Sequence, residues 1–338
     1  MIKVAIIGTG FIAQAHAAAY KQISSVRIAA VTDMIEEIGQ KFAKDHDAKF
    51  YGSIDEILKE KDINIIDICT PTFSHEEIVL KAAAAKKNIF CEKPLTLTLK
   101  SADNMIKAVK ENKVKAMVGH ALRFWPEYVK IKEYLDSKAL GKPMHAFCQR
   151  LAVTPDWHQG NWGANEKLGG GAALDLHIHD LDFLIWLFGK PSIVMAQGIF
   201  DPVKKEAGGL VHINTTIGFE KKVVAFAEGG WEFKGAFPFT MALRILCEKG
   251  TIDWLFRAGK NIEERSQTAE IKVYKNDGTV EILEAEKYDA FYSELSYFID
   301  CLENKKPVKI ASFEDGRASL ELALAAIKSA KTGKVIKL

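Results

Sequence analysis

The first third of the chain alternates short, almost uniformly apolar runs with stretches of helical periodicity. The apolar runs are Ile2–Ile7, Val26–Thr32, Ile63–Cys69, residues 88–91 and Lys115–Gly119. Between them lie an Ala-rich stretch at Gln14–Tyr20 and helical patterns at about 75–86 and 99–112. Ser53…Glu56 and Ser74…Glu77 have the spacing of capping boxes at helix starts. Strands that are apolar throughout and separated by helices predict a parallel sheet covered on both faces. The single charge inside these runs, apart from Lys3, Arg27 and Lys115 near run ends, is Asp67.

Beyond Arg123 the rhythm changes. A helix is expected at 127–137, a turn at Leu140-Gly141-Lys142-Pro143 and a strand at 144–151. Residues 152–171 form a long loop rich in Trp, Asn and Gly; loops of that length inside a domain are usually functional. Ala172–Phe188 reads as a helix ended by Gly189. From residue 192, apolar and polar positions alternate over Ile193–Phe200, Leu210–Phe219, Val223–Trp231, Phe239–Glu248, Ile252–Phe256, Ile271–Tyr274 and Val280–Leu283, separated by turns such as Asn276-Asp277-Gly278. This predicts an antiparallel sheet of hairpins with one face free for a partner subunit. Helices at 289–303 and 313–331 close the chain, the second opened by Ser312 and ended at Gly333.

Composition narrows the function. A chain of 338 residues with 48% hydrophobic content suits two domains. Net charge is +2, and no basic stripe with interleaved aromatics occurs, which excludes nucleic acid as a partner. No apolar run reaches the roughly 18–20 residues that span a bilayer. The N-terminus has no basic segment, extended apolar stretch or small-residue cleavage site, so no signal peptide is expected. The cysteines (69, 91, 148, 247, 301) are scattered through apolar segments without metal spacing, as expected of reduced core thiols in a cytoplasmic protein.

The first strand runs into Gly8-Thr9-Gly10-Phe11-Ile12-Ala13 and then a helix. In that setting Gly8 permits the tight turn, Gly10 lets the backbone approach a pyrophosphate, and Ala13 lets helix and strand pack closely. Asp33, at the end of the second strand, suits hydrogen bonding to an adenosine ribose diol. Met34-Ile35-Glu36 follow without an Arg for a 2′-phosphate, which favours NAD over NADP. Ligands of such sheets bind outside the carboxyl ends of the strands. Those ends are Gly8–Ala13, Asp33, Thr70-Pro71-Thr72, Glu92-Lys93-Pro94 and His120–Arg123, so a lysine at a strand tip beside a carboxylate becomes a site candidate. The expected fold class is α/β. A Rossmann dinucleotide-binding domain spans 1–122, and an α+β domain with a large, mostly antiparallel open sheet spans 123–286. Residues 287–338 are expected to return to the first domain.

Gly8-x-Gly10-x-x-Ala13, Thr70-Pro71, Glu92-Lys93-Pro94, Arg123, Gly169-Gly170-Gly171 and Asp175-x-x-x-His179 together resemble the Gfo/Idh/MocA family over nearly the whole chain. The resemblance implies NAD(P)-dependent oxidation of a sugar or polyol hydroxyl, or reduction of the ketone, and a large sheet used for homo-oligomerisation. It also selects His179 over His177 as the imidazole facing substrate. Asp175 and His179, at i and i+4, project from one helix face.

The chemistry requires a group to take the hydroxyl proton and a group to stabilise charge on oxygen. His179 is assigned as base, Asp175 as the carboxylate that orients it, and Lys93 as hydrogen-bond donor to the substrate oxygen; whether Lys93 or His179 takes the proton stays open. Glu92 is expected near the nicotinamide ribose or amide. Trp162 and His158 are candidates to border cofactor and substrate. The residues expected at the cofactor are Gly8, Gly10, Phe11, Ile12, Ala13, Asp33, Thr70, Pro71, Thr72, His75, Glu92, Lys93, Arg123 and Trp162. Those expected at the substrate are Lys93, His158, Asp175 and His179. A metal at His177, His179, Asp180 and Asp182 is disfavoured, because residues i and i+2 of a helix point to different sides. The alternatives are a glycosidase that keeps NAD bound and oxidises transiently, and an NAD-binding regulatory protein.

Overall fold

The computed structural model describes residues 1–154, 162–163, 165–201, 209–259 and 269–338. They divide into two compact units, Met1–Phe124 with Tyr288–Arg317, and Trp125–Lys287 with Ala318–Leu338.

The first unit contains β1 (Ile2–Ile7), α1 (Phe11–Tyr20), β2 (Val26–Thr32), α2 (Glu36–Asp45), β3 (Lys49–Phe50), α3 (Ile54–Ile57), β4 (Ile65–Ile68), α4 (His75–Ala84), β5 (Asn88–Glu92), α5 (Leu99–Asn112) and β6 (Ala116–Gly119). The strands form one six-stranded sheet in the order β3-β2-β1-β4-β5-β6. Every pairing in it is parallel. Val4, Ala5, Ile6, Ile65, Ile66, Ile89 and Phe90 have no exposed surface. Each such large apolar side chain contributes about 1.5–3 kcal/mol of transfer free energy, and it is this two-sided burial that leaves the strands without polar alternation. Of the two expected helix starts, one has its N-cap bond: the Ser53 hydroxyl accepts the Glu56 N–H. Ser74 does not cap α4. A 3-10 turn at Thr72–Ser74 precedes the helix, and the Ser74 hydroxyl donates instead to Thr70 Oγ1 or the Pro71 carbonyl, at 2.7 and 2.8 Å.

The second unit contains α6 (Pro126–Asp136), β7 (Pro143–Val153), α7 (Ile178–Phe188), β8 (Pro191–Phe200), β9 (Leu210–Phe219), β10 (Val224–Phe233), β11 (Thr240–Cys247), β12 (Gly250–Arg257), β13 (Ile271–Lys275) and β14 (Val280–Leu283). After α8 (Ala290–Glu303), which lies in the first unit, α9 (Phe313–Thr332) leads to β15 (Ile336–Lys337). The nine-stranded sheet has the order β14-β13-β12-β11-β7-β10-β9-β8-β15. It is antiparallel except where β10 runs parallel to β7. A parallel neighbour needs a crossover connection, and the helix between β7 and β8 provides it. β15 pairs with β8, and the Ser329 hydroxyl accepts the Ala196 N–H at 2.9 Å. Residues 318–338 are thus fastened to the second sheet, not to the first unit where the whole stretch 287–338 was expected.

The helix expected at 172–188 starts differently. Gly171 and Ala172 are α-helical, Ala173–His177 is a π-helical turn, and α-helical bonding resumes at Ile178. His177 packs where Gly229 has no side chain; a Cβ on Gly229 would lie 2.6 Å from the imidazole. Below it, Arg150 on β7 grips Asp180 through two hydrogen bonds of 2.8 and 3.2 Å, both side chains being almost fully buried. The Tyr128 hydroxyl accepts a third bond from Arg150 at 3.1 Å. Among the described residues, no helix is long and apolar enough to cross a membrane.

Candidate functional site

At the carboxyl edge of the six-stranded sheet, β1 runs straight into the glycine loop. Gly8 has φ +86°, and a Cβ there would lie 2.9 Å from the Cys69 carbonyl oxygen. Both conditions restrict the position to glycine. A Cβ on Gly10 would meet nothing within 4 Å. Gly10 is also the N-cap of α1, and no side chain caps that helix. A helix that starts on bare glycine backbone is the arrangement that receives a pyrophosphate.

Asp33 follows β2 and is fixed to the same loop. One carboxylate oxygen accepts the Thr9 N–H and the Thr9 hydroxyl, each at 2.7 Å, and the other accepts the Ile35 N–H at 2.8 Å. The loop and the acid thus form one hydrogen-bonded element, with the exposed Met34 beyond it.

The loops after β4 and β5 are joined from behind by His75. Its Nδ1 lies 3.1 and 3.3 Å from the Pro94 and Leu95 carbonyl oxygens, and its Nε2 lies 2.9 Å from the Thr70 carbonyl oxygen. Only 1% of the residue is exposed, and burial lowers the imidazole pKa. His75, expected at the cofactor, forms a bracket between two loop ends. Pro71 leads directly into the turn at Thr72.

Glu92 ends β5 inside the sheet edge. Its Oε2 accepts the Lys93 N–H at 3.1 Å, and its Oε1 lies 3.2 Å from His16 Nε2. Lys93 itself is half-buried. Arg123 follows β6 through a 3-10 turn at Ala121–Phe124. Its guanidinium is buried and lies 3.1 Å from an Asp315 oxygen at the start of α9, inside the first unit.

In the second unit, Asp175 and His179 are both half-buried. Asp175 lies in the π turn and His179 in the first turn of α7, so their four-residue spacing spans a change of helix type. His177 is fully buried between them, with Nε2 3.0 Å from the Thr215 hydroxyl. Burial, then the neighbouring His212 and Arg150, lowers its pKa to about 3. It is a neutral core histidine, as its position two residues from His179 implied. The Trp162 carbonyl accepts the Asn165 N–H at 3.1 Å. Gly169 packs against that backbone so closely that a Cβ would lie 2.6 Å from Gly163 Cα. His158 lies outside the described residues.

Sequence reasoning missed three ionisable groups that converge under the glycine loop: His16, Asp67 and Glu294, none with exposed surface. Asp67 was the available signal, since a lone carboxylate in the middle of an apolar strand must find a buried partner.

Two family models match consecutive parts of the chain. One, described as oxidoreductase family, NAD-binding Rossmann fold, matches residues 2–120. The other, the GFO/IDH/MocA C-terminal domain, matches residues 128–253. The chain is similar to myo-inositol 2-dehydrogenase of Thermotoga maritima, with 26% identity over 349 residues, covering 100% of this chain and 98% of that one. It is also similar to scyllo-inositol 2-dehydrogenase (NAD(+)) of Bacillus subtilis, with 26% identity over 346 residues, covering 100% and 96%. Among solved structures, aldose-aldose oxidoreductase from Caulobacter crescentus, complexed with glycerol, has the same fold at a TM-score of 0.86, with 22% identity and 100% and 99% coverage. A glycine loop on a parallel sheet, a second unit built on a large open sheet, and two matched models in that same order make this chain a member of the Gfo/Idh/MocA oxidoreductase family with an NAD-binding Rossmann domain.

Proposed function

We propose that the protein is an NAD-dependent dehydrogenase that oxidises a secondary hydroxyl of an inositol, sugar or related polyol, or reduces the corresponding ketone. The observation that carries this reading is the shared rim. Gly8–Ala13, Asp33, Thr70–Thr72 and Glu92–Lys93 all leave the same edge of one parallel sheet. Two full-length relatives named inositol 2-dehydrogenases support the substrate class.

In this reading the loop at Gly8, Gly10, Phe11, Ile12 and Ala13 holds the dinucleotide phosphates, and Asp33 the adenosine ribose. Thr70, Pro71, Thr72, Arg123 and Trp162 complete the cofactor's surroundings, and Glu92 supports the nicotinamide end. Bound there, NAD⁺ supplies the hydride acceptor. Lys93 donates a hydrogen bond to the substrate oxygen and stabilises the negative charge that develops as its proton leaves. His179 accepts that proton, and Asp175 orients the ring and stabilises the imidazolium. His158 is included among the proposed substrate residues on its sequence context alone. The five cysteines are all buried and unpaired, which supports a cytoplasmic location.

The test mixes pure protein with NAD⁺ or NADP⁺ and a panel of inositols, aldoses, sugar acids and glycosides. Growth of the NADH absorbance with a polyol and NAD⁺ is the expected result; bound cofactor with glycoside cleavage and no net NADH would replace the reading with transient oxidation. Asp33→Ala is expected to raise the KM for NAD⁺ roughly 10–100-fold, the worth of hydrogen bonds to a charged group, and to narrow its advantage over NADP⁺. An unchanged cofactor ratio would remove Asp33 from the ribose.

The same reading includes self-association through the open sheet. Ile193, Met195, Val224, Leu246, Leu255, Tyr274, Val280 and Ile282 are all at least 42% exposed, and they recur at alternating positions of its strands. Around them Phe147 stacks on Phe226, with centroids 5.9 Å apart. An open face with this many exposed apolar side chains, interspersed with the Arg244–Asp253 ion pair, suits an interface, and an identical copy presents a complementary one about a two-fold axis. The double variant Leu246→Lys/Leu255→Lys is expected to lower the mass measured by light scattering to that of a monomer. An unchanged mass would place the interface elsewhere.

A further inference from the structure

Four elements of the first unit send ionisable groups into its interior. His16 comes from α1, Asp67 from β4, Glu92 from the end of β5 and Glu294 from α8. His16, Asp67 and Glu294 have no exposed surface, and Glu92 has 6%. His16 Nδ1 lies 2.9 and 3.2 Å from the two Asp67 oxygens. His16 Nε2 lies 3.2 Å from Glu92 Oε1. A Glu294 oxygen falls within 4.8 Å of the facing atoms of both His16 and Glu92. Neither Glu294 oxygen has a hydrogen-bond partner among the described residues. The Phe90 and Phe291 rings close on the imidazole at 5.3 and 6.0 Å.

Charge decides the protonation. Three carboxylates around one imidazole cannot all be ionised in such a setting, because each uncompensated buried charge costs several kcal/mol. Burial opposes the charge on His16, but Asp67 and Cys69 together outweigh it and hold the imidazole well above its ordinary pKa. Asp67 faces His16 Nδ1 and Glu92 faces its Nε2, so both share that one cation. Glu294 has no cation of its own. Burial and the adjacent Glu92 push it well above the ordinary carboxyl range, leaving a carboxylic acid with one O–H to donate. Glu92 is boxed in on another side: a Cβ on Gly119 would lie 2.5 Å from its Oε1.

We propose that Glu294, as a neutral acid, is a positioning residue for Lys93, acting with His16 to fix the Glu92 carboxylate whose second oxygen accepts the Lys93 N–H. The lysine ammonium then projects from a backbone anchored to three other elements of the fold. This inference rests on the role given to Lys93 under Proposed function.

The experiment compares Glu294→Leu and Glu294→Gln with the wild-type protein on the polyol that the panel identifies. Glu294→Leu is expected to lower kcat at least tenfold while the Kd for NAD⁺ changes by less than threefold. Glu294→Gln keeps a neutral donor of the same shape and is expected to restore most of that kcat. A Gln variant as slow as the Leu variant, or a Leu variant as fast as wild type, overturns the proposal. An infrared difference spectrum between wild type and Glu294→Gln at neutral pH is expected to show the C=O band of a protonated carboxyl; its absence, or stoichiometric metal in the purified protein, also overturns it. These results separate from failure of the broader reading, which Lys93→Met decides: a slow Lys93 variant beside an unimpaired Glu294→Leu removes only the present inference.

Discussion

Lys93→Met is expected to lower kcat by roughly 10²–10⁴-fold, the range lost when one donor to a developing oxyanion or one proton-transfer partner is removed. Methionine keeps the length and most of the volume of the lysine stem, so the loss is one of charge and hydrogen bonding. Lys93 is half-buried, and its backbone N–H is held by Glu92. Neither feature depends on the ammonium, so the folded first unit and its glycine loop should persist. NAD⁺ titration should therefore give a Kd within a few-fold of wild type while NADH production nearly stops. An unchanged turnover would remove Lys93 from the chemistry. A lost Kd with normal turnover at saturation would make it a cofactor ligand only.

The second large effect is on stability. Arg150→Met leaves the Asp180 carboxylate, which has no exposed surface, without its bidentate partner. Removing one member of a buried ion pair costs about 3–5 kcal/mol, equivalent to a fall of roughly 10 °C in melting temperature for units of this size. The double variant Arg150→Met/Asp180→Leu should recover most of that loss, because an apolar pair of similar volume often replaces a buried ion pair without penalty. The single variant should also acquire a pH dependence. Burial raises the Asp180 pKa even with Arg150 opposing it. Without Arg150 the native carboxyl would hold a proton that the unfolded one releases, so stability should fall as pH rises above the ordinary carboxylate pKa. Calorimetry at pH 5 and pH 8 distinguishes these outcomes; a melting temperature independent of pH would mean that Asp180 finds another partner.

The parallel sheet was legible because two-sided burial writes itself as uninterrupted apolar runs. The glycine loop was legible because its steric requirements are local: φ +86° and a carbonyl 2.9 Å from an added Cβ leave one residue type for Gly8. Asp33 was found from its place at a strand end. Capping was less readable. Ser53 and Ser74 share one spacing, yet only Ser53 caps, because Ser53 has the extended backbone of an N-cap whereas Ser74 is already helical at the end of a 3-10 turn. The parallel contact of β10 with β7 was hidden, since alternation reports that a strand has two unlike faces and not which neighbour it takes. His16, Asp67 and Glu294 were invisible as a group because His16 stands 51 positions before Asp67, and Glu294 comes from a helix near the far end of the chain. Of the site, strand ends were readable and the side chains that steady them from inside were not.

The π turn at Ala173–His177 has a consequence for chain length. A π turn holds one residue more than an α turn in nearly the same rise, so this helix carries one residue more than an unbroken α-helix of its length. Removing one residue from 173–177 would let α-helical bonding run through while the turns on either side stay nearly in place. Deleting Leu176 or His177 would shorten the step from Asp175 to His179 to three residues, whereas deleting Ala173 or Leu174 would keep it at four, with both side chains present in either case. Substitutions test which groups matter here; a single-codon deletion would test their phase.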